Sequence, residues 1–399
     1  MSPSRYPQYD VRKVIHSIKN PSPDLVHVFA HRASRCLGSS TENSFSAVAA
    51  AARGGYEGIE IDIRLTKDKQ VVVFHDAGMG RLTDVEPPAG DSYHNPFTGK
   101  GYSPLVKDTN WFGEMEHLHL RDDSGNVTQV ITSNSSDYRS TEHPILLSEL
   151  LEFIHDEDIN ILVQIDVKDL DAMAYAYDVI AQHANAAGVP ATEWCLWKPK
   201  GEVFPTPEVW ERQEWVQKAL ACGDAPPFVL FYEHEDDTVL PSIKAWENCD
   251  YLINYELHVP RVGGILQSAL DYILGQGKGV GSWYIGGDFA RRYYTGDGQM
   301  SWDDSSLRDQ ILASGPSVKI MYREWYAQVV MEGADMYRHG VVAAGGVLGR
   351  PPSAGDHDTR VDLSALIQQG WSYIVADPFD DLHDRMTDMG KRNVGRIMA

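Results

Sequence analysis

AHRASRCLGSSTENSFSAVAAAARGGYEGIEIDIRLTKDKQVVVFHD, residues 30–76, decides the fold. It opens at the end of an apolar run, residues 25–31, that has the β-rich character of a buried strand. A helix is expected from Glu42 through SFSAVAAAARGG, with Gly54 and Gly55 as its stop. GIEIDIRL (58–65) is the next strand, and VVVFHD (71–76) follows after the turn TKDKQ.

Further out, HPILLSELLEFIHDE (143–157) has helical periodicity with Ser148 as its cap, and INILVQIDVK (159–168) is a strongly apolar strand. Other strand candidates lie at 193–199, 227–234, 250–258, 279–287, 341–349 and 373–378. Helical stretches such as 171–188 and 363–370 fill the gaps. Alternation of β and α elements predicts an α/β fold with parallel strands, a TIM (β/α)8 barrel. Ten strand candidates compete for its eight places. Residues 77–142 are polar and turn-rich, which predicts a long insertion after the second strand region; within it LVKDTNWFGEMEHLHL (105–120) suggests a short helix and a docking strand. Irregular additions are expected in the C-terminal half. With no repeat period and no low-complexity linker, residues 1–399 are expected to form a single domain.

The chain has 399 residues, 43% apolar and 23% charged, an ordinary globular composition. Its net charge of −22 leaves no basic footprint for nucleic acid and disfavours attraction to an anionic membrane surface. No apolar stretch is long enough to span a bilayer, and the N-terminus has no apolar region of signal-peptide length. Cys36, Cys195, Cys222 and Cys249 are widely spaced, without a CxxC, and read as free thiols. A soluble, cytoplasmic protein is the expectation, with peripheral membrane contact left open.

Three short patterns carry chemistry. Glu60 and Asp62 are alternate residues of one strand and share a face. Two like charges buried there would favour a hard divalent cation, whereas on an edge strand they would simply be solvated. His31-Arg32 ends the first strand, and His75-Asp76 follows VVVF. A histidine exchanges protons near neutral pH, and an arginine fork suits phosphate oxygens, although a strand-end histidine is often structural. Asp166 and Lys168 repeat the alternate spacing, as a third carboxylate with a phosphate-neutralising cation or as a buried salt bridge. All lie toward strand ends, the barrel face where catalytic residues gather.

Residues 30–76 resemble the glycerophosphodiester phosphodiesterases, whose barrel relatives include sphingomyelinase D-type phospholipases and bacterial phosphatidylinositol-specific phospholipase C. The matching pattern is HRG, Glu-Asn, E-x-D, T-K-D-G and V-V-x-H-D, with weaker matches at 143–154, 164–168 and 369–378. The resemblance implies a TIM-barrel phosphodiesterase with His31 and His75 as acid–base and nucleophilic pair. It implies Glu60, Asp62 and Asp166 as ligands of one divalent cation, Mg2+ or Ca2+. Arg32 and Lys168 would hold the phosphoryl group, and Glu42 would lie near the metal. The implied substrate is a small-molecule or lipid-derived phosphodiester. Three positions depart from the pattern: Ala33 and Lys69 replace glycines, and Asp166 replaces a glutamate, as in the sphingomyelinase D branch. That third departure leaves open a phospholipase D-like lyase releasing a cyclic phosphate. The stretch 195–345 carries little family signal, so a repurposed enzyme for a phosphorylated specialised metabolite and a non-enzymatic phosphate- or lipid-binding barrel also stay open.

GQGKGVG (275–281) precedes a strand and reads as a loop, not a nucleotide cradle. His117 and His119 suit a half-exposed strand better than zinc. His234, Glu256 and His258 sit at strand ends and are weaker candidates for lining the pocket. The aromatics after residue 190 suit either core packing or an apolar or choline-like group.

Overall fold

The computed structural model describes residues 5–33, 41–94, 101–121, 127–128, 141–259, 263–284, 363–376 and 382–399. Among the described residues, ten strands form one sheet: β1 (His27–Ala30), β2 (Gly58–Leu65), β3 (Val71–Val73), β4 (Ile145–Leu146), β5 (Leu162–Val167), β6 (Cys195–Lys198), β7 (Phe228–Tyr232), β8 (Leu252–Leu257), β9 (Val280–Tyr284) and β10 (Tyr373–Ala376). β1 pairs in parallel with both β10 and β2, which closes the ring β1-β2-β5-β6-β7-β8-β9-β10. This is the closed eight-stranded parallel barrel of a TIM fold. Its strands are buried along nearly their whole length because helices cover the outside and side chains fill the inside. Among the described residues, no helix is long and apolar enough to cross a membrane.

The ten candidates for eight places resolve simply. Residues 71–76 are not a barrel strand: β3 covers only Val71–Val73 and runs antiparallel to β2 and β4. The reason is length. β2 runs on past its barrel partner β1, and its free end, Ile63–Leu65, folds back on itself as a hairpin. The turn is closed by the Lys69 amide donating to Thr66 O at 3.0 Å, with Lys69 at φ 64. Candidate 341–349 lies outside the described residues.

Four helices position the site: α1 (Val11–Lys19), α2 (Phe45–Arg53), α3 (Leu147–Asp156) and α4 (Ala172–Ile180). α2 begins at Phe45, later than Glu42, because the Ser44 hydroxyl caps it by accepting from the Ala47 amide at 3.2 Å. Glu42 and Asn43 are thereby left in the preceding turn. Ser148 is not the cap of α3. It lies inside the helix, and Glu149 closes the first turn by accepting from the Leu146 amide at 2.8 Å. Residues 105–120 hold two single 3-10 turns, Val106–Asp108 and Met115–His117, while Leu120 bridges Thr83.

β3 divides two cores. Val71 and Val73 join the main core, while Val72 and Phe74, on the other face, pack with Met79, Leu82, Val106, Trp111, Met115 and Leu120. The inserted stretch thus has a small core of its own. Cys195 is buried, Cys249 half-buried and Cys222 exposed, and none of the three is in a disulfide.

The chain's end is tied to the barrel floor. Arg392 donates to Glu57 at 2.5 and 3.0 Å, and Glu57 accepts from the Val28 amide at 2.9 Å. Burial pushes the Glu57 carboxyl up, but Arg392 outweighs it and holds Glu57 below the usual range. Replacing Arg392 by Met strands a fully buried carboxylate and should cost about 3–5 kcal/mol at pH 7 by urea unfolding. A group with a depressed folded pKa contributes its stability above its unfolded pKa. The gap between wild type and variant should therefore narrow as pH falls below roughly 4.

Candidate active site

The register of two strands builds the centre. β2 and β5 pair Glu60 with Gln164 and Asp62 with Asp166, and β6 sets Lys198 beside Asp166. The side chains of Glu60 and Asp62 leave the face opposite Ile59, Ile61 and Ile63, which belong to the core. Carboxylate oxygens of Glu60, Asp62 and Asp166 lie within 4.8 Å of one another, and Glu60 and Asp62 are buried. The Lys168 ammonium stands 2.8 Å from Asp166 Oδ2 and 3.0 Å from Asp62 Oδ1.

The loops after β1 hold this centre from above. Arg32 (φ 48) and Ala33 (φ 58) both take left-handed backbone, at the position where the family pattern has glycine. That conformation turns the Arg32 amide onto Glu60 Oε2 at 3.0 Å. Asn43, also left-handed at φ 56, donates from Nδ2 to Asp62 Oδ2 at 2.9 Å and accepts from the Asp62 amide at 3.3 Å. The sequence reading gave Asn43 no role, although asparagine is the residue that best tolerates this backbone.

The hairpin brings His75 back to the same level. The Phe74 amide donates to Asp62 O at 2.8 Å, so His75 follows immediately above the carboxylates. His75 Nδ1 pairs with Asp76 Oδ1 at 2.7 Å, and Arg32 Nη2 donates to His75 Nε2 at 2.9 Å. A guanidinium only donates, so Nε2 is the acceptor and Nδ1 carries the proton. Burial and then Arg32 push the His75 pKa down, against the pull of Asp62 and Asp76. Arg32 Nη1 also donates to both oxygens of Glu42 at 3.1 Å. Arg81, from the insertion, donates to Asp76 and Glu42.

His31 is half-buried and faces the other wall, its ring 5.7 Å from that of Trp283 on β9. Beyond Trp283 lie His258 (5.8 Å) and Phe231 (4.6 Å from His258). Arg32 is hydrogen-bonded to His75, and His31 lies close enough to Glu60 to lower its pKa. Beneath that wall, Glu256 accepts from Lys198 (2.8 Å), Gln164 (3.1 Å) and Tyr373 (3.1 Å), and pairs with His258 Nε2 at 3.2 Å. Burial opposes the charge on Glu256, but Lys198 and His258 hold its pKa well below the usual range. Gly281 makes this network possible, because a Cβ there would lie 1.9 Å from the Tyr373 ring. Of the weaker candidates, Glu256 and His258 thus join the mouth. His234 does not, with its side chain 73% exposed. Lys198 was missed, since a lysine at a strand end carries no signal of its own. His117 is exposed, and His119 pairs with Asp84 at 2.7 Å.

Two groups of described residues could hold a cation: Glu60–Asp62–Asp166 and Glu42–His75–Asp76. Charge separates them. The second is neutralised by Arg81 and Arg32. The first has three carboxylates against Lys168 and a shared Arg32, whose Nε lies 3.8 Å from Asp62 Oδ2, since Lys198 is paired with Glu256. Burial and then Asp62 push Glu60 up, while Asp62 is held down against burial by His75, Lys168 and Arg32. Asp62 Oδ1 has no aligned hydrogen bond. Clustered hard oxygens with a charge deficit fit Mg2+ or Ca2+.

Residues 31–194 match the model of the glycerophosphoryl diester phosphodiesterase family. This match supports the family resemblance read from residues 30–76. A glycerophosphodiester phosphodiesterase of Bacillus altitudinis is 32% identical over 96 residues, 21% of this chain and 38% of the relative. An uncharacterised protein of Sinorhizobium fredii is 27% identical over 168 residues, 42% of this chain and 39% of the relative. The chain thus spans about two fifths of the length of these curated relatives. The crystal structure of a glycerophosphoryl diester phosphodiesterase from Parabacteroides distasonis shares the fold at 14% identity and a TM-score of 0.55, covering 99% of this chain and 98% of that one.

The turn carrying Glu42 and Asn43 is pinned from outside. Thr41 and Thr128 hydroxyls lie 2.8 Å apart, and Glu142 accepts from the Ser46 amide at 3.0 Å. Glu142 is buried, and burial raises its pKa to about 7. A raised carboxyl pKa favours the protonated form in the folded state, so that stability is lost as pH rises from the ordinary glutamate value toward 7. Glu142→Gln should melt roughly 2–6 °C above wild type at pH 8 and close to it at pH 5, by calorimetry.

Proposed function

We propose that the protein is a divalent-cation-assisted phosphodiesterase acting on a glycerophosphodiester or lysophospholipid-like diester. The observation that carries this reading is the charge-deficient carboxylate group Glu60–Asp62–Asp166 beside a His75–Asp76 dyad and two phosphate-competent cations, Arg32 and Lys168. Glu60, Asp62 and Asp166 would hold Mg2+ or Ca2+. When bound, the cation would draw charge from a phosphoryl oxygen.

The chain's own groups supply the rest. Neutral His75, with Nδ1–H on Asp76, has the tautomer of a general base, and ionised Asp76 stabilises the imidazolium that forms. Arg32 occupies Nε2 here, and a phosphate dianion or diester is the partner that would draw its guanidinium away. Lys168 and Arg32 then offset charge at phosphorus. His31, from the opposite wall, serves the leaving alcohol. Where the substrate has a neighbouring hydroxyl, that group can attack first. The Asp166-x-Lys168 spacing favours this lyase variant as the second reading.

Phosphorus NMR with Mg2+ and a mixture of glycerophosphocholine, lysophosphatidylcholine and glycerophosphoinositol tests it. A chelator-sensitive monoester is expected. An accumulating cyclic phosphate would support the lyase, and no turnover of any diester would point to a specialised substrate or a binding role. Replacing His75 or His31 by Ala should lower kcat about 10²–10⁴-fold with the fold intact by circular dichroism. Wild-type rates in either would refute its assignment. Because the His75 pKa is pushed down, the acid limb of kcat/KM should lie below about 6.5. A flat profile from about pH 5 to 9 would remove the histidine pair from the mechanism.

A further inference from the structure

Five side chains form a closed hydrogen-bonded ring around His75. His75 Nδ1 meets Asp76 Oδ1 at 2.7 Å. Arg81 donates from Nε to Asp76 Oδ2 at 2.6 Å and from Nη2 to Asp76 Oδ1 at 2.9 Å. Its Nη2 and Nη1 donate to Glu42 Oε1 at 2.7 Å and Oε2 at 3.2 Å. Glu42 holds Arg32, and Arg32 returns to His75 Nε2 at 2.9 Å. Because Arg32 donates to Nε2, the imidazole carries its proton at Nδ1, toward Asp76.

We propose that Arg81 is the positioning residue of this site, and that delivering it is the task of the insertion. It alone bridges the two sides of the ring: Asp76 on the Nδ1 side and Glu42, with Arg32, on the Nε2 side. Without it, the hydrogen bond left to Asp76 among the described residues is the one from the imidazole, and Glu42 loses one of its two guanidinium partners there. The claim rests on His75 being the base of the proposed reaction.

The insertion's own core holds this side chain in place. Met79 and Leu82 are buried in its separate core, and the Thr83 amide and hydroxyl close a turn onto Met79 O at 3.1 and 2.9 Å. Arg81 stands in that turn, its side chain 18% exposed. Its planar fork serves both carboxylates at once, which a lysine ammonium of equal charge cannot do in the same geometry.

The test uses the full chain with 15N-labelled histidine, and Arg81→Lys and Arg81→Met. Wild-type His75 should show the Nδ1–H tautomer in 15N spectra, and both variants a mixture. With glycerophosphocholine, kcat should fall about 10–100-fold while KM stays within about threefold. The Kd for Mn2+, titrated alone, should stay within about twofold, since Arg81 touches none of the proposed ligands. Arg81→Lys that keeps both the Nδ1–H tautomer and the wild-type kcat overturns the proposal. If Arg81→Met does not fold, Asp76→Asn decides, because an unchanged His75 tautomer there also overturns it. Should wild type hydrolyse no diester, the proposed function fails, and the tautomer spectra still settle the positioning claim on their own.

Discussion

Three carboxylates in a barrel mouth, two of them buried, are the constraint on which the rest of the site depends. Parallel pairing of β2 with β5 puts Asp62 beside Asp166, and the two-residue period of β2 adds Glu60 on the same face. Nothing in strand formation favours this. Isoleucines at the intervening positions provide the burial energy that makes the strand, and the charges are carried along with it. Every neighbour then reads as a response to that charge. Lys168 stands between Asp62 and Asp166, the Arg32 amide turns onto Glu60, and the Asn43 amide caps Asp62. Two of these responses use left-handed backbone at non-glycine residues, a conformation that costs about 1 kcal/mol or more per residue. Strain of that kind persists only where surrounding bonds over-determine it, as they do here.

The same constraint explains why β2 is the longest strand. Its excess length carries the hairpin that returns His75 to the level of Asp62, and it leaves an edge at β3. β4 and the inserted core cover that edge. The insertion is therefore no ornament on a loop. It seals a sheet edge, pins the 41–46 turn through Thr128 and Glu142, and places Arg81 against Glu42 and Asp76.

Residues whose placement follows from a strand period were legible in the sequence. Glu60, Asp62, Asp166 and Lys168 sit where alternation puts them, and most barrel strands coincide with apolar runs. What alternation cannot reveal is direction. VVV has the same composition whether it enters a barrel or turns back along its edge, so 71–76 looked like a barrel strand. Turn chemistry was legible only in part. Ser44, not the position of Glu42, sets the start of α2, and Ser148 lost its capping role to Glu149, which already closes the first turn. Asn43, Arg81 and Lys198 were given no role because tertiary structure brings them the partners Asp62, Glu42 and Glu256.

The two walls of the mouth differ in kind, and this bears on what the site can bind. On the β2–β5 side the cations are engaged at short range with carboxylates and can exchange them for phosphate oxygens. On the β8–β9 side, Lys198 is satisfied by Glu256 and buried, while Trp283, His258 and Phe231 present rings. A ligand approaching that wall meets aromatic faces over a neutral pair, not a naked charge. On the proposed reading, phosphate goes to one side, and the substituent that distinguishes one diester from another goes to the other. The 195–345 stretch, where the family pattern fades, supplies that second wall. On the proposed reading, a change in that wall would alter the choice of alcohol while the carboxylates and the His75 ring on the opposite side keep their bonds.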